Sequence, residues 1–411
     1  MGSLAEQRAD LSFRGNRKQT RYGWLRLTPA YSVHLVREIL DAQGSNAAPV
    51  LDPFCGTGTT ALVCAEAGVA CDTTDINPFL LWLTEAKTRV YAQEQIARFE
   101  QAARDVLEAV HDERLAEHAR PALHRIEKWW DEPTLAGLAR ARGAIAECEA
   151  RIGAEAADLL KLAFCRALIE RSNASFGHQS MSFQKRDVTG AGPTPALQRE
   201  ALAESFAQAV LSIAGGAASR IAGRACARSC DARQLSRVLP AQRYGLVITS
   251  PPYPNRMSYI RELRPYMYWL GYLSDGRAAG ELDYRAIGGT WGSATSQVAK
   301  WSASETRAIP YPEFPEILAR IAMHSDVLSR YVHKYFYDMA EHCLELHAVL
   351  KPGARVHYVI GNSKFYDVLL PAETILATQL TAAGFHSPQV TPLRKRSSKK
   401  ELFEYLVSAV A

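Results

Sequence analysis

The stretch that decides the fold is Leu51-Asp52-Pro53-Phe54-Cys55-Gly56-Thr57-Gly58-Thr59-Thr60. The apolar residues just before and at its start predict a short buried strand, and residues 59–67 predict a helix that Gly68 closes. Two glycines separated by one residue let the backbone approach a ligand closely, and the N-terminus of the following helix adds a favourable dipole. The stretch is therefore predicted to be a strand–turn–helix unit that holds a nucleoside cofactor.

The next segment repeats the same alternation of strand and helix. Residues 69–74 predict a second strand, and Pro78 is well placed in the first turn of a second helix. Asp75 lies at the end of that strand, near the expected distance of ~20 residues from the glycines, where a carboxylate can accept hydrogen bonds from both ribose hydroxyls. Strand–helix–strand–helix is the beginning of a doubly wound α/β fold.

Two common nucleotide sites do not fit this glycine turn. The dinucleotide pattern G-x-G-x-x-G is incomplete, and the phosphate-binding ending Gly-Lys-Ser/Thr is absent. Asp52 directly precedes the turn, and an acid there suits a ligand that carries a cationic amine and a sulfonium better than one that carries a pyrophosphate.

A second motif, Thr249-Ser250-Pro251-Pro252-Tyr253, follows a strand-like run at residues 244–248. The two prolines lack N–H donors and stiffen the loop. The Ser250 hydroxyl and the Pro251 carbonyl can accept hydrogen bonds from an amine, and the Tyr253 ring can stack on a base. The alternative interpretation is an ordinary Pro-Pro turn with a surface tyrosine.

Together the two motifs resemble those of the S-adenosylmethionine-dependent amino-methyltransferases, which act on exocyclic amino groups of DNA bases. Ser-Pro-Pro-Tyr is the form typical of the cytosine-N4 branch. The resemblance implies a doubly wound, Rossmann-like methyltransferase sheet with a helical insertion, and direct methyl transfer to a base flipped out of double-stranded DNA. It also implies a restriction–modification system with a cognate restriction endonuclease as a possible partner.

The resemblance assigns roles to individual residues. Asp231 takes the adenine amino group of the cofactor, and the segment around residues 22–32 helps to hold its methionine end. Gly361-Asn362-Ser363 is similar to a loop that lines the active site. The catalytic residues are Ser250, Pro251, Pro252 and Tyr253. The residues assigned to S-adenosylmethionine are Thr28, Tyr31, Asp52, Phe54, Cys55, Gly56, Gly58, Thr59, Asp75, Asn77, Asp231 and Ala232.

Other interpretations stay open for three of these assignments. Asp75 could be a helix cap, Asp231 a surface-loop acid, and the segment around residues 22–32 plain hydrophobic packing.

Basic segments predict contacts with a phosphate backbone. The net charge is only +5, but cations concentrate near the N-terminus and within residues 394–400, which contain no acid. Solvated ends of the chain would give the same composition. The predicted nucleic-acid contacts are Arg17, Lys18, Arg21, Lys185, Arg186, Arg256, Arg394, Lys395, Arg396, Lys399 and Lys400.

The chain divides into four predicted regions. Residues 1–20 are a basic arm, residues 21–92 the cofactor-binding half, residues 93–225 a helical insertion, and residues 226–411 the catalytic half, which contains an irregular insertion at 274–326. Candidate helices of the helical insertion are 95–110, 134–151, 154–170 and 196–213, with a polar loop between the last two. Target recognition is predicted in this insertion, especially at residues 172–186, or at 274–326.

Composition excludes several other classes. No apolar run reaches the ~20 residues of a membrane helix, so we expect a cytoplasmic protein with no membrane partner. The eight cysteines are expected to be buried thiols and not metal ligands. No Pro-Cys occurs, which argues against a cysteine nucleophile and methylation at carbon 5 of cytosine.

Four alternatives to the cytosine-N4 hypothesis remain. They are an adenine-N6 methyltransferase, an RNA base methyltransferase, a catalytically silent relative that binds nucleic acid, and an α/β enzyme that acts on a small substrate.

Overall fold

The protein contains a seven-stranded sheet flanked by helices. The computed structural model describes residues 11, 15–18, 20–25, 27, 30–43, 49–175, 182–184, 193–303, 307–396 and 401–411. The strands are β1 Val50–Asp52, β2 Cys71–Asp75, β3 Ala174–Ser175, β4 Ser182–Phe183, β5 Ala225–Ser229, β6 Tyr244–Thr249, β7 Leu350–Gly361, β8 Ser363–Phe365, β9 Val368–Leu370, β10 His386–Lys395 and β11 Phe403–Val410. The helices are α1 Val33–Asp41, α2 Thr59–Ala67, α3 Pro78–Thr88, α4 Gln93–His111, α5 Glu132–Ile152, α6 Ala154–Glu170, α7 Pro195–Ala217, α8 Tyr259–Trp269, α9 Gly276–Arg285, α10 Ser293–Lys300, α11 Phe314–Ala322, α12 Asp326–Val349 and α13 Ala372–Ala382.

The strand order of the sheet is β10-β11-β7-β6-β1-β2-β5. All neighbours from β5 to β7 pair in parallel, whereas β11 is antiparallel to both β7 and β10. Alternate residues of β6 face opposite layers: Leu246 and Ile248 pack with residues of α1 and α2, and Val247 packs with residues of α12. The predicted doubly wound α/β fold is confirmed, with helices on both faces of a mostly parallel sheet.

The glycine turn has the conformation that its sequence predicts. Gly58 caps α2 with a φ of 75°. A side chain there would also place a Cβ 2.4 Å from Thr84 Oγ1 on the neighbouring helix α3. Both the left-handed backbone and the close helix therefore require glycine at this position.

Helices α4 to α7 form the middle of the chain and pack into one hydrophobic core. Phe99, Leu138 and Leu160 are completely buried in it. The same core includes Phe79 of α3 and Met267 of α8, so the inserted helices contact elements that flank both sequence motifs. The four predicted helices are present; α6 has the predicted bounds, and the other three extend one to four residues beyond their predicted ends.

Residues 274–326, predicted as an irregular insertion, contain three short helices, α9 to α11, which occupy about half of the segment. Each has only eight to ten residues, which is too short for sequence periodicity to stand out. Tertiary packing stabilises them; for example, the ring of Phe314 on α11 lies 5.5 Å from that of Phe336 on α12.

The C-terminal hairpin of β10 and β11 matches the prediction of two strands around a basic run. Proline at positions 388 and 392 is tolerated because β10 is an edge strand, where a missing N–H costs no ladder bond. The predicted turn at residues 351–353 lies inside β7, where Gly353 has a φ of 79° and the pairing with β6 shifts register.

Arg21 corrects one nucleic-acid prediction. The residue is completely buried, so it cannot contact a phosphate backbone in this structure. Its guanidinium is surrounded by the C-terminal ends of α3 and α7, where helix carbonyls lack intrahelical partners and attract a cation. It donates hydrogen bonds to the carbonyls of Lys87 (2.8 Å), Arg89 (2.5 Å), Gly216 (2.8 Å), Ala217 (2.8 Å) and Ser219 (3.0 Å).

Arg21→Ala is predicted to destabilise the protein by roughly 3–4 kcal/mol, because it leaves several buried carbonyls without donors. Urea unfolding followed by circular dichroism measures the change. The matched control is Arg98→Ala, since Arg98 is exposed and pairs with Glu94 on the same helix; its effect should stay below about 0.5 kcal/mol. Equal effects of the two variants would contradict this role of Arg21.

Candidate active site

Both sequence motifs lie at one edge of the sheet, because the parallel strands β1, β2 and β6 all end there. The Thr249 hydroxyl at the end of β6 donates a 2.6 Å hydrogen bond to Asp52 Oδ1 at the end of β1. The backbone N–H of Phe54 donates to the same oxygen over 3.1 Å. This edge is where ligands bind in open α/β sheets.

Asp52 is completely buried, and its Oδ2 atom has no hydrogen-bond partner in the described part of the chain. Burial raises the pKa of this carboxyl to about 7. A buried carboxylate oxygen without a partner is costly in isolation and suits a cationic ligand. The Asp52 carboxylate therefore fits the cationic amine and sulfonium of S-adenosylmethionine.

Asp75 lies at the end of β2 beside the same turn. Its Oδ2 accepts from the Gly56 backbone N–H (3.2 Å), and its Oδ1 accepts from that of Asn77 (2.9 Å). Burial raises its pKa to about 6. The cap of α3 is Asn77, whose side chain accepts from the Phe79 N–H over 3.0 Å. Asp75 is therefore not the helix cap, and its carboxylate fixes the glycine turn beside the predicted ribose position.

Several other residues assigned to the cofactor are bonded within the protein. Cys55 Sγ lies 2.9 Å from Thr84 Oγ1, and the buried Tyr31 hydroxyl contacts Thr60 and the Ile248 carbonyl. Thr59 is buried at the start of α2, and the Phe54 ring packs edge-on against His342 at 4.7 Å. These contacts agree with the packing interpretation of Tyr31, whereas Thr28 lies outside the described residues.

Lys87 is a feature of the turn that the sequence did not reveal. It is buried on α3, and its Nζ donates a 3.0 Å hydrogen bond to the Thr57 carbonyl between the two glycines. Burial lowers its pKa to about 8. In the sequence it appears as an ordinary lysine near the end of an apolar helix, because only the tertiary structure brings it beneath the turn.

Asp231 follows β5 and pairs with its neighbour. It accepts from Arg233 Nε (2.9 Å) and Nη2 (2.7 Å). The next carbonyl, that of Ala232, is 3.0 Å from His342 Nδ1, and Tyr358 Oη is 2.7 Å from His342 Nε2. Burial lowers the pKa of His342 to about 4, so the ring is neutral; it donates from Nδ1 and accepts at Nε2. An adenine contact from Asp231 stays a prediction.

The Ser-Pro-Pro-Tyr loop is anchored on both sides. The Ser250 hydroxyl donates its proton to the Val359 carbonyl over 3.0 Å, which leaves the lone pairs of its oxygen available as acceptors. The Pro252 carbonyl accepts from the Tyr335 hydroxyl over 2.7 Å. The half-buried Tyr253 hydroxyl donates to Glu404 Oε1 over 2.7 Å. The loop is therefore a fixed acceptor surface beside an aromatic ring, and not a loose surface turn.

The C-terminal hairpin completes this part of the site. The Arg396 guanidinium lies 5.0 Å from the centre of the Tyr253 ring and donates a 2.8 Å hydrogen bond to the Asn362 carbonyl. Arg394 Nε donates to Glu404 Oε2 over 2.7 Å. Arg394 and Arg396 were predicted to contact nucleic acid, but here they bind protein groups around Tyr253. The sequence did not single out Glu404, because a lone acid in an edge hairpin resembles a solvated side chain.

The remaining basic residues fall into two groups. Arg256 is exposed just after the Tyr253 loop, and Lys395 is half-buried on β10. The side chains of Arg17, Lys18, Lys185, Arg186, Lys399 and Lys400 lie outside the described residues.

The described parts of the chain show neither a metal site nor a membrane span. No cluster of three or more His, Cys, Asp or Glu side chains there could hold a metal ion. None of the helices there is long and apolar enough to cross a membrane.

The sequence of the chain is similar to those of known methyltransferases. The chain is 22% identical over 428 residues to the Type II methyltransferase M.AvaI of Nostoc sp. (strain PCC 7120). This alignment covers 95% of this chain and 85% of that protein. M.AvaI of Anabaena variabilis matches equally. An 82-residue stretch is 30% identical to the Type II methyltransferase M.BsoBI of Geobacillus stearothermophilus, over 20% of this chain and 16% of that protein.

Two further comparisons add no weight. No family model matches the chain. The rRNA methyltransferase aviRa from Streptomyces viridochromogenes is 13% identical and aligns over 97% of this chain and 96% of its own, with a TM-score of only 0.29.

The sheet order, the glycine turn and the acids at its edge define a Rossmann-like methyltransferase fold. The similarity to methyltransferases over nearly the whole chain identifies the reaction class. The protein is a methyltransferase that uses S-adenosylmethionine as its methyl donor.

Asp52→Asn is predicted to remove a pH-dependent loss of stability. The pKa of Asp52 rises from 3.8 to about 7 on folding. At a pH between these two values, the folded protein therefore keeps a proton that the unfolded chain has released. The contribution of Asp52 to the free energy of unfolding is therefore lost as the pH rises towards 7. Asparagine does not titrate, so the stability of the variant relative to wild type should improve by on the order of 2–3 kcal/mol between about pH 5 and about pH 8.

Urea unfolding of both proteins at the two pH values measures this difference. Asp367→Asn, at an exposed acid, serves as the control, and its stability should stay within about 0.5 kcal/mol of wild type at both pH values. A constant difference between Asp52→Asn and wild type would mean that Asp52 does not change its ionisation in this range.

Proposed function

We propose that the protein is a site-specific DNA methyltransferase that transfers a methyl group to the exocyclic N4 amine of cytosine. The observation that carries the proposal is the Ser250 hydroxyl, whose proton is committed to the Val359 carbonyl. Its oxygen is therefore an acceptor, next to the Tyr253 ring and one residue from Thr249, which binds Asp52. The alignment with the Type II methyltransferase M.AvaI over 95% of this chain supports DNA as the substrate.

The cofactor half of the site binds the methyl donor. Bound S-adenosylmethionine supplies a methyl group activated by the sulfonium charge. Asp52 stabilises the cationic end of this ligand through its unpartnered Oδ2, and ionises more readily once a cation lies beside it. Asp75 accepts from the ribose hydroxyls, and the backbone at Gly56 and Gly58 allows the ligand to approach closely.

The catalytic half orients the amine. The lone pair of an exocyclic amine is delocalised into the ring, so the amine is a poor nucleophile. The Ser250 oxygen and the Pro251 carbonyl accept its N–H groups and favour rehybridisation of the nitrogen while the methyl group is held in line. The nitrogen would form its bond to the methyl carbon as the bond from that carbon to sulfur breaks, the sulfonium would leave as a neutral thioether, and the proton of the methylated amine would pass to solvent; no covalent enzyme intermediate is involved.

Tyr253 supplies the surface on which the flipped base stacks. Glu404 holds its hydroxyl and Arg396 covers its ring, so the orientation of the ring is fixed before the base arrives. A preorganised ring loses less entropy when the base binds than a freely rotating one would.

The regions of the chain divide this work as the sequence suggests. Residues 21–92 bind the cofactor, residues 226–411 orient the base, and the helical insertion at 93–225 contributes to target recognition. Serine at position 250, in place of the acid usual in adenine enzymes, favours cytosine N4. Adenine N6 is the second candidate, because the same acceptor geometry suits its amine equally. The proposed enzyme belongs to a restriction–modification system, in which a cognate restriction endonuclease is its partner.

Nucleoside analysis of DNA from an expressing host tests the proposed function. The digest is expected to contain N4-methylcytosine, absent from a host that carries the empty vector. Detection of N6-methyladenine instead would show that the target base is adenine. Carbon-5 methylcytosine, or methylated RNA with unmodified DNA, would refute the proposal.

Tyr253→Ala is predicted to lower the rate of DNA methylation about 10- to 100-fold, because the base loses its stacking surface. Tyr253→Phe keeps the ring and loses only the bond to Glu404, so its rate should fall less than about tenfold. Affinity for S-adenosylmethionine, measured by titration calorimetry, should stay unchanged in both.

Tyr366→Ala is the matched control, since this tyrosine is exposed and stacks on the ring of His324. Equal rates for Tyr253→Ala and Tyr366→Ala, or a loss of cofactor affinity in Tyr253→Ala, would remove Tyr253 from the transfer step.

A further inference from the structure

Two segments predicted separately as target-recognition candidates meet in the structure. They meet at the side chain of Arg264 on α8, the helix that follows the Ser-Pro-Pro-Tyr loop. The Arg264 guanidinium lies 5.1 Å from the ring centre of Trp129, in the helical insertion. It lies equally 5.1 Å from the ring centre of Trp291, in the loop between α9 and α10.

The guanidinium contacts both indole rings, and this arrangement is called the Arg264 sandwich below. Contact with aromatic faces leaves the N–H donors of an arginine, which lie in its own plane, able to form a fork of hydrogen bonds. Burial lowers the pKa of Arg264 to about 10, so the group is charged at neutral pH. Within the described residues of the chain, no carboxylate forms an ion pair with Arg264. The positive charge and the N–H donors of this side chain therefore lack an acidic partner there.

One side of this sandwich is tied to the catalytic loop. The Trp291 backbone N–H donates a 2.6 Å hydrogen bond to Asp283 Oδ2. The other oxygen of Asp283 binds the hydroxyl of Ser258, the residue that caps α8. A Cβ at Gly289 would lie 1.7 Å from the Asp283 carbonyl, so only glycine allows this close turn. The position of Trp291 is thus fixed relative to the loop that ends at Tyr253.

The other side is tied to the short hairpin of β3 and β4. The Phe183 ring packs edge-on against Trp129 at 5.1 Å, and 38% of Phe183 is exposed. The Asn173 backbone N–H donates a 2.7 Å hydrogen bond to the Trp129 carbonyl. The hairpin therefore places an exposed aromatic ring beside the Arg264 sandwich.

We propose that Arg264 is a specificity-determining residue that reads a guanine next to the target base through a bidentate hydrogen bond. The inference rests on the proposed function, since it needs a DNA substrate. The charge, the planar fork and the rigid aromatic support match the O6 and N7 acceptors of a guanine edge. The surface around it, formed by Phe183 and Trp291, is the composite recognition face that joins the helical insertion to residues 274–326.

The test compares Arg264→Lys with wild type on duplex DNA. The methylated motif of the wild-type enzyme is first mapped on plasmid DNA, and each base pair of that motif is then replaced in turn. Lysine keeps the charge but loses the planar fork. We expect the preference for guanine at one position of the motif to fall at least tenfold in kcat/KM, with affinity for S-adenosylmethionine unchanged. Trp291→Ala should weaken the same preference, and Trp291→Phe should weaken it less.

Arg277→Lys is the matched control, because Arg277 is exposed on α9 and pairs with Glu281; its motif should equal that of wild type. Base reading would be overturned if Arg264→Lys kept the wild-type motif and rate while a folded Arg264→Ala bound all DNA sequences more weakly to the same extent. That result would assign Arg264 to a phosphate contact. An unchanged motif in both Arg264 variants would also overturn it. These outcomes differ from failure of the proposed function, in which the wild-type enzyme itself leaves DNA unmodified.

Discussion

The hydrogen bond between Thr249 and Asp52 joins the two halves of the site. Its 2.6 Å length connects the last residue of β6 to the last residue of β1, across the centre of the sheet. It partly satisfies a carboxylate that burial would otherwise leave protonated, and it sets the distance between the glycine turn and the Ser-Pro-Pro-Tyr loop. A methyl donor and an acceptor amine must be aligned in line, so this spacing determines whether transfer can occur.

The parts that could be predicted from the sequence are those whose cause is local. Gly58 requires a left-handed backbone, and the strand–turn–helix unit around it follows from neighbouring residues alone. The Ser-Pro-Pro-Tyr loop is likewise stiffened by its own prolines. The doubly wound fold followed because such units combine in few ways.

The rest depends on contacts between distant residues. Arg21 looked like part of a basic arm, yet its partners are the ends of two helices, one of them almost 200 residues away. Glu404 resembled a solvated acid until the hairpin brought it to Tyr253. Helices α9 to α11 are too short for periodicity to reveal, and nothing in the sequence near Trp129 or Trp291 shows that they share a cation. Composition reports the charge of such residues but not their surroundings.

The contacts of Arg21 also constrain the order of events during synthesis. The ribosome releases the N-terminal segment long before residues 216–219, which supply three of its carbonyl partners. The central strand β1 similarly needs β6 as a neighbour, and β6 emerges later still. The early part of the nascent chain therefore cannot complete its native contacts as an autonomous unit, and vectorial folding must wait until more than half of the protein has been translated.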